Sequence, residues 1–182
     1  IGKRLIRVES LSLLRGKTYY FQNGIAYNPE FLTLPSSCYV DGYWQSEKYF
    51  KDHEELIKKQ FTFKQHLTGK NKELANHIRQ TSGAVSIHVR RGDYVSDSKT
   101  YADHGVCSHT YYQNAMRHIE KQLKNPAYFV FSDDMPWVRK HFPIDREHTF
   151  VEHNQGQESF NDMHLMSLCQ HHIIANSSFS WW

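Results

Sequence analysis

The sequence predicts an α/β protein with a parallel sheet over its second half, preceded by part of another α/β domain. Three observations carry the prediction. From residue 84 onward, short apolar runs of strand type alternate with stretches of helical periodicity, the signature of right-handed βαβ units. The run Ala84–Val89 sets Val85, Ile87 and Val89 alternately against smaller or polar residues, as a strand with one buried face does. It then runs straight into Arg90, Arg91, Gly92 and Asp93, so two fixed cations stand at the carboxyl end of a strand, where open α/β sheets hold their ligands. An anionic ligand follows from that placement. The expected domains are 1–80, the later part of a first domain, and 81–182, a nucleotide-binding, Rossmann-like half; no internal repeat interrupts either.

Length and charge narrow the class. The 182 residues suffice for one sizeable core, or for one domain and part of another. A formal charge of +3 without a lysine- or arginine-rich block argues against a nucleic-acid partner. The 13 histidines are scattered. Cys38, Cys107 and Cys169 are too widely spaced for a disulfide framework or a zinc motif, and read as reduced thiols in a cytosolic setting. No apolar run approaches the roughly 18 residues of a membrane span, and no signal-peptide pattern opens the chain. The chain starts on Ile1 and stops on Trp182 just where a helix is due, and is read as a piece with both ends missing.

Taken in order, Thr18–Phe21 is β-prone, and Asn28-Pro29 and Pro35-Ser36-Ser37 are turn material. From Ser46, Tyr49, Phe50, His53, Ile57 and Phe61 recur near helical spacing among charged residues, which predicts a solvated amphipathic helix. A second helix is expected over 71–80, ended by Thr81-Ser82-Gly83. Beyond Tyr94, the segment from Ser96 to Val106 reads as a polar loop, long enough for a lid or an acceptor contact. Ser108 is placed to cap a helix whose inner face is Tyr112, Ala115, Met116, Ile119 and Leu123. Tyr128–Phe131 is the next strand. Ser132-Asp133-Asp134 then caps a helix that tolerates Pro136 in its first turn. Thr149–Val151 is a short strand, followed by a polar loop, 152–157, and a helix over 159–170 with Phe160, Met163, Met166 and Cys169 on one face. Ile173–Ala175 is the last strand, after which Asn176-Ser177-Ser178 opens a helix.

His88-Val89-Arg90-Arg91-Gly92-Asp93-Tyr94 resembles the first signature motif of the α1,2-fucosyltransferases, glycosyltransferase family 11. Tyr128–Asp134 and His171–Trp182 resemble two later stretches of the family, and Gly42–Phe50 is similar to a block of its bacterial members. Four blocks in the right order cover most of the chain. The family's glycine-rich motif near the amino terminus has no counterpart here. The resemblance implies a two-domain architecture of the GT-B type and a galactoside 2-α-L-fucosyltransferase. Such an enzyme moves L-fucose from GDP-fucose to the 2-hydroxyl of a terminal β-galactose with inversion and without metal or cofactor. It further implies polysaccharide biosynthesis, with peripheral association at the inner membrane or a cytoplasmic location for a bacterial protein, and the Golgi lumen for an animal one. A fucosyltransferase of another linkage, α1,6 or protein O-fucosylation, shares the His-X-Arg core. A non-catalytic nucleotide or anionic-glycan binding module is the reading from another class.

The candidate site is assembled on that basis. Departure of a nucleoside diphosphate builds charge on its β-phosphate, which a bidentate guanidinium can neutralise in place of a metal. Arg90 is the first candidate for this clamp and Arg91 the second; the alternative is that one of the two only pairs with Asp93 or Asp134 to hold the loop. Asp93 is the nearest carboxylate, either the base that takes the acceptor proton or a structural partner of an arginine. His88 faces away from Val85, Ile87 and Val89, to position nucleotide or loop, or as a buried hydrogen-bonded histidine. Asn176, Ser177 and Ser178 form a strand-to-helix turn that offers N–H groups and hydroxyls to phosphate, or an ordinary helix cap. Of Asp133 and Asp134, one caps the following helix and the other accepts from a guanine edge; adjacent carboxylates seldom converge on one ion. Arg91-Gly92-Asp93 as an adhesion motif and a zinc site at His164, His171 and His172 are disfavoured by the buried strand and by the spacing.

Overall fold

The computed structural model describes residues 19–142 and 144–181; Thr18, expected in a strand, and Trp182 lie outside them. The chain divides into two compact units between Thr62 and Phe63. In the first, β1 (Tyr19–Phe21) and β2 (Tyr39–Asp41) pair in parallel with Tyr19 opposite Tyr39. The helix expected from Ser46 is broken. It becomes two 3₁₀ turns, Glu47–Tyr49 and Lys51–His53, followed by a short α1 (Glu54–Gln60) with no buried residue. Tyr49 is the reason. Its ring packs on Tyr27, Phe31 and Trp44, and its hydroxyl accepts from Asn28 N–H at 2.8 Å and Gln22 Nε2 at 3.1 Å. Anchoring one side chain this way overrides the helical period, and Phe61, expected on the inner face, is exposed. The block Gly42–Phe50 thus supplies two rings of this cluster, Trp44 and Tyr49.

The second unit opens with α2 (Gly69–Gln80), which the expected division after residue 80 had assigned to the first domain. It belongs here because its buried Ala75 and Ile78 share a core with Leu165 and Met166 further along the chain. Gly83, at φ +74°, turns the chain into β3 (Ala84–Val89). The segment expected as a polar loop is mostly helical: α3 (Gly92–Ser96) and α4 (Ser98–His104), the latter started by Asp97, whose Oδ1 accepts from Thr100 N–H at 2.7 Å. Local capping was enough to fold a stretch that lacks apolar periodicity. Then come α5 (His109–Gln122), capped by Ser108 as expected, β4 (Ala127–Ser132), α6 (Met135–His141) and β5 (His148–Val151). The last elements are α7 (Phe160–Met166), shorter than expected, β6 (His171–Ile173) and α8 (Ser178–Trp181).

The four strands β3 to β6 are all parallel, in the order β5-β4-β3-β6. The chain leaves β3 toward β4 and β5, then returns to place β6 on the other side of β3. Such a reversal is where open sheets of this kind form a ligand crevice. One core joins Val85, Ile87, Val89, Tyr128 and Val130 to α5 and α6; the other joins Ala84, Phe129 and Phe131 to α2 and α7. Each such aliphatic or aromatic side chain, fully buried, contributes roughly 1.5–3 kcal/mol of transfer energy. The strand β3, read from its alternation as having one buried face, is buried on both. Its polar side is satisfied from the far end of the chain, Ser86 Oγ by His172 Nδ1 at 2.9 Å and His88 Nδ1 by Ser180 Oγ at 2.8 Å. No helix among the described residues is long and apolar enough to cross a membrane.

Candidate active site

At the carboxyl ends of β3, β4 and β5 lies an open cavity of about 670 Å³. Its walls include His88, Arg90, Asp133, Glu152, Asn154 and Asp162, and its size suits a nucleotide-sized ligand. Arg90 directly follows β3. Its guanidinium donates from one NH2 group to Asp133 Oδ2 at 2.7 Å and from the other to Asp93 Oδ1 at 2.6 Å, with Tyr94 beneath it, 5.2 Å to the ring centroid. The other oxygen of Asp133 accepts the Arg91 N–H at 2.8 Å. Asp133 therefore grips the turn after β3 from the end of β4. Ser132 reinforces the junction by donating its hydroxyl to the carbonyl of Val89 at 2.7 Å.

Arg91 is differently employed. Its Nε donates to Asp134 Oδ2 at 3.2 Å and its guanidinium lies 3.7 Å from the Trp137 ring centroid, away from the cavity lining. Asp134 is the helix cap of the pair, accepting the Trp137 N–H at 3.2 Å. The two arginines thus separate: Arg90 faces the cavity and Arg91 ties α6 to the end of β3. Gly92 leaves the room this needs, since a Cβ there would stand 2.5 Å from Asp133 Oδ2. Gly92→Ala is expected to push that carboxylate aside and destabilise the protein by about 1–3 kcal/mol, read as a lower urea midpoint. An unchanged midpoint would show that Asp133 yields freely.

His88 is buried, lines the cavity and rests near the Phe179 ring. Burial drives its imidazole down to about 4; nearby Arg90 pushes the same way and Asp133 opposes. Asn176, Ser177 and Ser178 are not brought to the cavity wall. Asn176 Nδ2 donates to the carbonyls of His104 and Gly105, at 2.8 and 3.3 Å, so that side chain terminates α4. Ser177 Oγ accepts from Phe179 N–H at 3.3 Å, the ordinary cap of a short helix. Among these last residues Phe179 lines the cavity. Among the described residues no three His, Cys, Asp or Glu side chains gather as a metal ion would need.

The opposite wall contains residues the sequence did not single out. Glu152, just past β5, is held by a two-point bridge from Arg139, Nε to Oε1 at 2.7 Å and NH2 to Oε2 at 2.8 Å, which keeps its carboxyl below the usual range. Asp162 on α7 is buried, and its Oδ1 accepts from Asn154 Nδ2 at 2.7 Å. Burial raises its carboxyl to about 6, against the lowering effect of that hydrogen bond. A signal was present: Asp162 stands three and four residues before the buried Leu165 and Met166, an acid on the inward face of an apolar helix.

A parallel sheet of Rossmann-like layout, with a basic and acidic cavity at its carboxyl edge, defines the protein as an α/β protein with a ligand crevice at the ends of its strands. Comparison with known proteins makes this specific. The profile of glycosyl transferase family 11 matches residues 17–182, and the chain belongs to that family. It is similar to an alpha-1,2-colitosyltransferase of Escherichia coli, 42% identical over 82% of this chain and 51% of that protein. It is also similar to the O-antigen biosynthesis glycosyltransferase WbnK of Escherichia coli, 33% identical over 93% of this chain and 56% of that protein. Galactoside alpha-(1,2)-fucosyltransferase 1 of Bos taurus is 28% identical over 79% of this chain and 42% of its own length. The chain spans about half the length of these two bacterial relatives. No solved structure matches it at a significant level. As a family, these enzymes take a nucleotide-sugar donor and a glycan acceptor.

Proposed function

We propose that the protein is a galactoside 2-α-L-fucosyltransferase of the GT-B type, with the Phe63–Trp181 unit as its donor half and the unit before it as part of the acceptor half. The observation that carries this reading is Arg90, held between Asp133 and Asp93 at the edge of a nucleotide-sized cavity. GDP-fucose enters with its β-phosphate against Arg90, whose fork transfers from the carboxylates to the phosphate oxygens. The acceptor's 2-hydroxyl oxygen attacks the anomeric carbon of fucose as the bond to the β-phosphate oxygen breaks. The bonding electrons leave with GDP, and Arg90 neutralises them without a metal ion. Asp93, released from Arg90, takes the hydroxyl proton. Asp133 stays tied to the Arg91 N–H and Asp134 to the Arg91 side chain, so we assign the guanine edge to Asp162, whose second oxygen can accept from N1–H and the 2-amino group. Stacked apolar surface for the base comes from Phe131, Val151 and Phe179.

A second donor has a specific observation behind it. The relative at 42% identity is named for colitose, so a GDP-linked colitose is the alternative sugar on the same clamp. WbnK's name supports a role in O-antigen biosynthesis. The test is transfer to lactose by the full-length enzyme, with GDP-fucose and GDP-colitose compared side by side and EDTA added to half the assays. Fucose transfer that survives EDTA, with an inverted product, is expected. Turnover with colitose alone would change the donor, and loss of activity in EDTA would end the metal-free mechanism.

A further inference from the structure

We infer that Asn71, on α2 and outside the cavity lining, is a positioning residue that sets the orientation of Asp162 through Asn154, and so governs discrimination for guanine. The inference rests on the assignment of Asp162 to the guanine edge. Asn71 and Asn154 exchange a reciprocal pair of amide hydrogen bonds, Asn71 Nδ2 to Asn154 Oδ1 and Asn154 Nδ2 to Asn71 Oδ1, both at 2.8 Å. The remaining N–H of Asn154 points at Asp162 Oδ1, 2.7 Å away. An amide has two donor hydrogens, and both are now committed. Asn154 has no alternative pose, because turning its amide over would set its oxygen against the Asp162 carboxylate and break both bonds to Asn71.

Asn71 is itself oriented. Its Oδ1 takes a second hydrogen bond from His153 Nε2 at 2.7 Å, so its acceptor end is fixed by two donors. The sequence His153, Asn71, Asn154, Asp162 therefore runs as one directed chain, with Asn154 and Asp162 buried at its inner end. It joins α2, the loop after β5 and α7. Its consequence for the cavity is that one oxygen of Asp162 is occupied in a fixed direction, which leaves the other aimed at a ligand. Partners of this kind, one shell removed from the contact atom, commonly alter affinity by about tenfold or more when lost.

The experiment is calorimetric binding of GDP and of inosine diphosphate, which lacks the 2-amino group, to the full-length enzyme and to Asn71→Leu. Wild type is expected to prefer GDP on the order of tenfold, the scale of a paired base-edge contact. Asn71→Leu is expected to lose most of that preference, with donor KM raised about tenfold and kcat nearly unchanged. If Asn71→Leu does not fold, Asn71→Asp, which keeps an acceptor for Asn154 and His153 but removes the reciprocal donor, gives the same comparison. In an Asp162→Asn background either change at Asn71 should leave the GDP to inosine diphosphate ratio where it stands. Wild type that binds neither nucleotide overturns the donor reading and this inference with it. Wild type that prefers GDP, with an Asn71 variant that weakens both ligands equally or acts independently of Asp162, overturns this inference alone.

Discussion

Replacing Arg90 with alanine is expected to cut turnover by roughly two to three orders of magnitude, about 3 kcal/mol of transition-state stabilisation, as for other preorganised charge donors. The fold should survive. Arg90 belongs to neither core, and the carboxylates it leaves behind, Asp93 and Asp133, keep side-chain exposures of 56% and 26% and can be solvated. Asp133 also retains the Arg91 N–H. Lysine should recover only part of the loss. A point charge can meet one phosphate oxygen but cannot form the parallel pair of bonds that a guanidinium offers. The measurements are kcat for transfer and a thermal melt on the same samples. Near-normal turnover in Arg90→Ala would remove this side chain from the chemistry, and a collapsed melt would make its role structural.

A second large effect is hidden in the wild type. The joint contribution of two buried groups of the cavity to stability is expected to change little between about pH 4 and 6, because they oppose each other there. His88 is held neutral, its pKa lowered from 6.5 to about 4 by burial, so it stabilises fully above the unfolded value and the benefit is lost as pH falls toward the folded one. Asp162 is the reverse case. Its carboxyl rises from 3.8 to about 6, so its contribution is greatest below the unfolded value and is lost as pH climbs through the folded one. Each shift is worth about 3 kcal/mol at 1.36 kcal/mol per unit. Relative to wild type, His88→Gln should therefore lose about 3 kcal/mol as pH rises from 4 to 7, because the His88 slope is removed. Asp162→Asn should gain a similar amount relative to wild type over the same range, because the Asp162 slope is removed. Urea unfolding across that range checks both, and variants whose curves run parallel to wild type would show that neither group is desolvated as the geometry requires.

How much of this could be read in the sequence depended on distance along the chain. The βαβ alternation, the Ser108 cap and the position of Arg90 after β3 are local facts, and local patterning carried them. The division of labour between Asp133 and Asp134 was legible as a choice but not decidable, since it turns on how β4 aligns with β3 across 43 residues. A buried, hydrogen-bonded His88 was one of two readings, but its partner Ser180, like His172 for Ser86, lies too far along the chain to be named locally, 92 and 86 residues downstream. The Asn154 and Asp162 wall was missed for a similar reason: its members come from a loop and a helix that reach the crevice only when β5 takes its place at the sheet edge. Tyr49 shows the opposite failure, a strong local period defeated by one anchored ring.

Because Arg90 is already neutralised by two internal anions, ligand entry is an exchange and not a capture. An incoming group must outbid a pair of carboxylates that are tethered in place, and a singly charged ion brings too little to do so. On the proposed reading this sets a charge threshold: halides and simple carboxylates are expected not to displace Asp133 and Asp93 from Arg90, whereas a diphosphate, with more charge and more oxygens over the same few ångströms, is expected to do so.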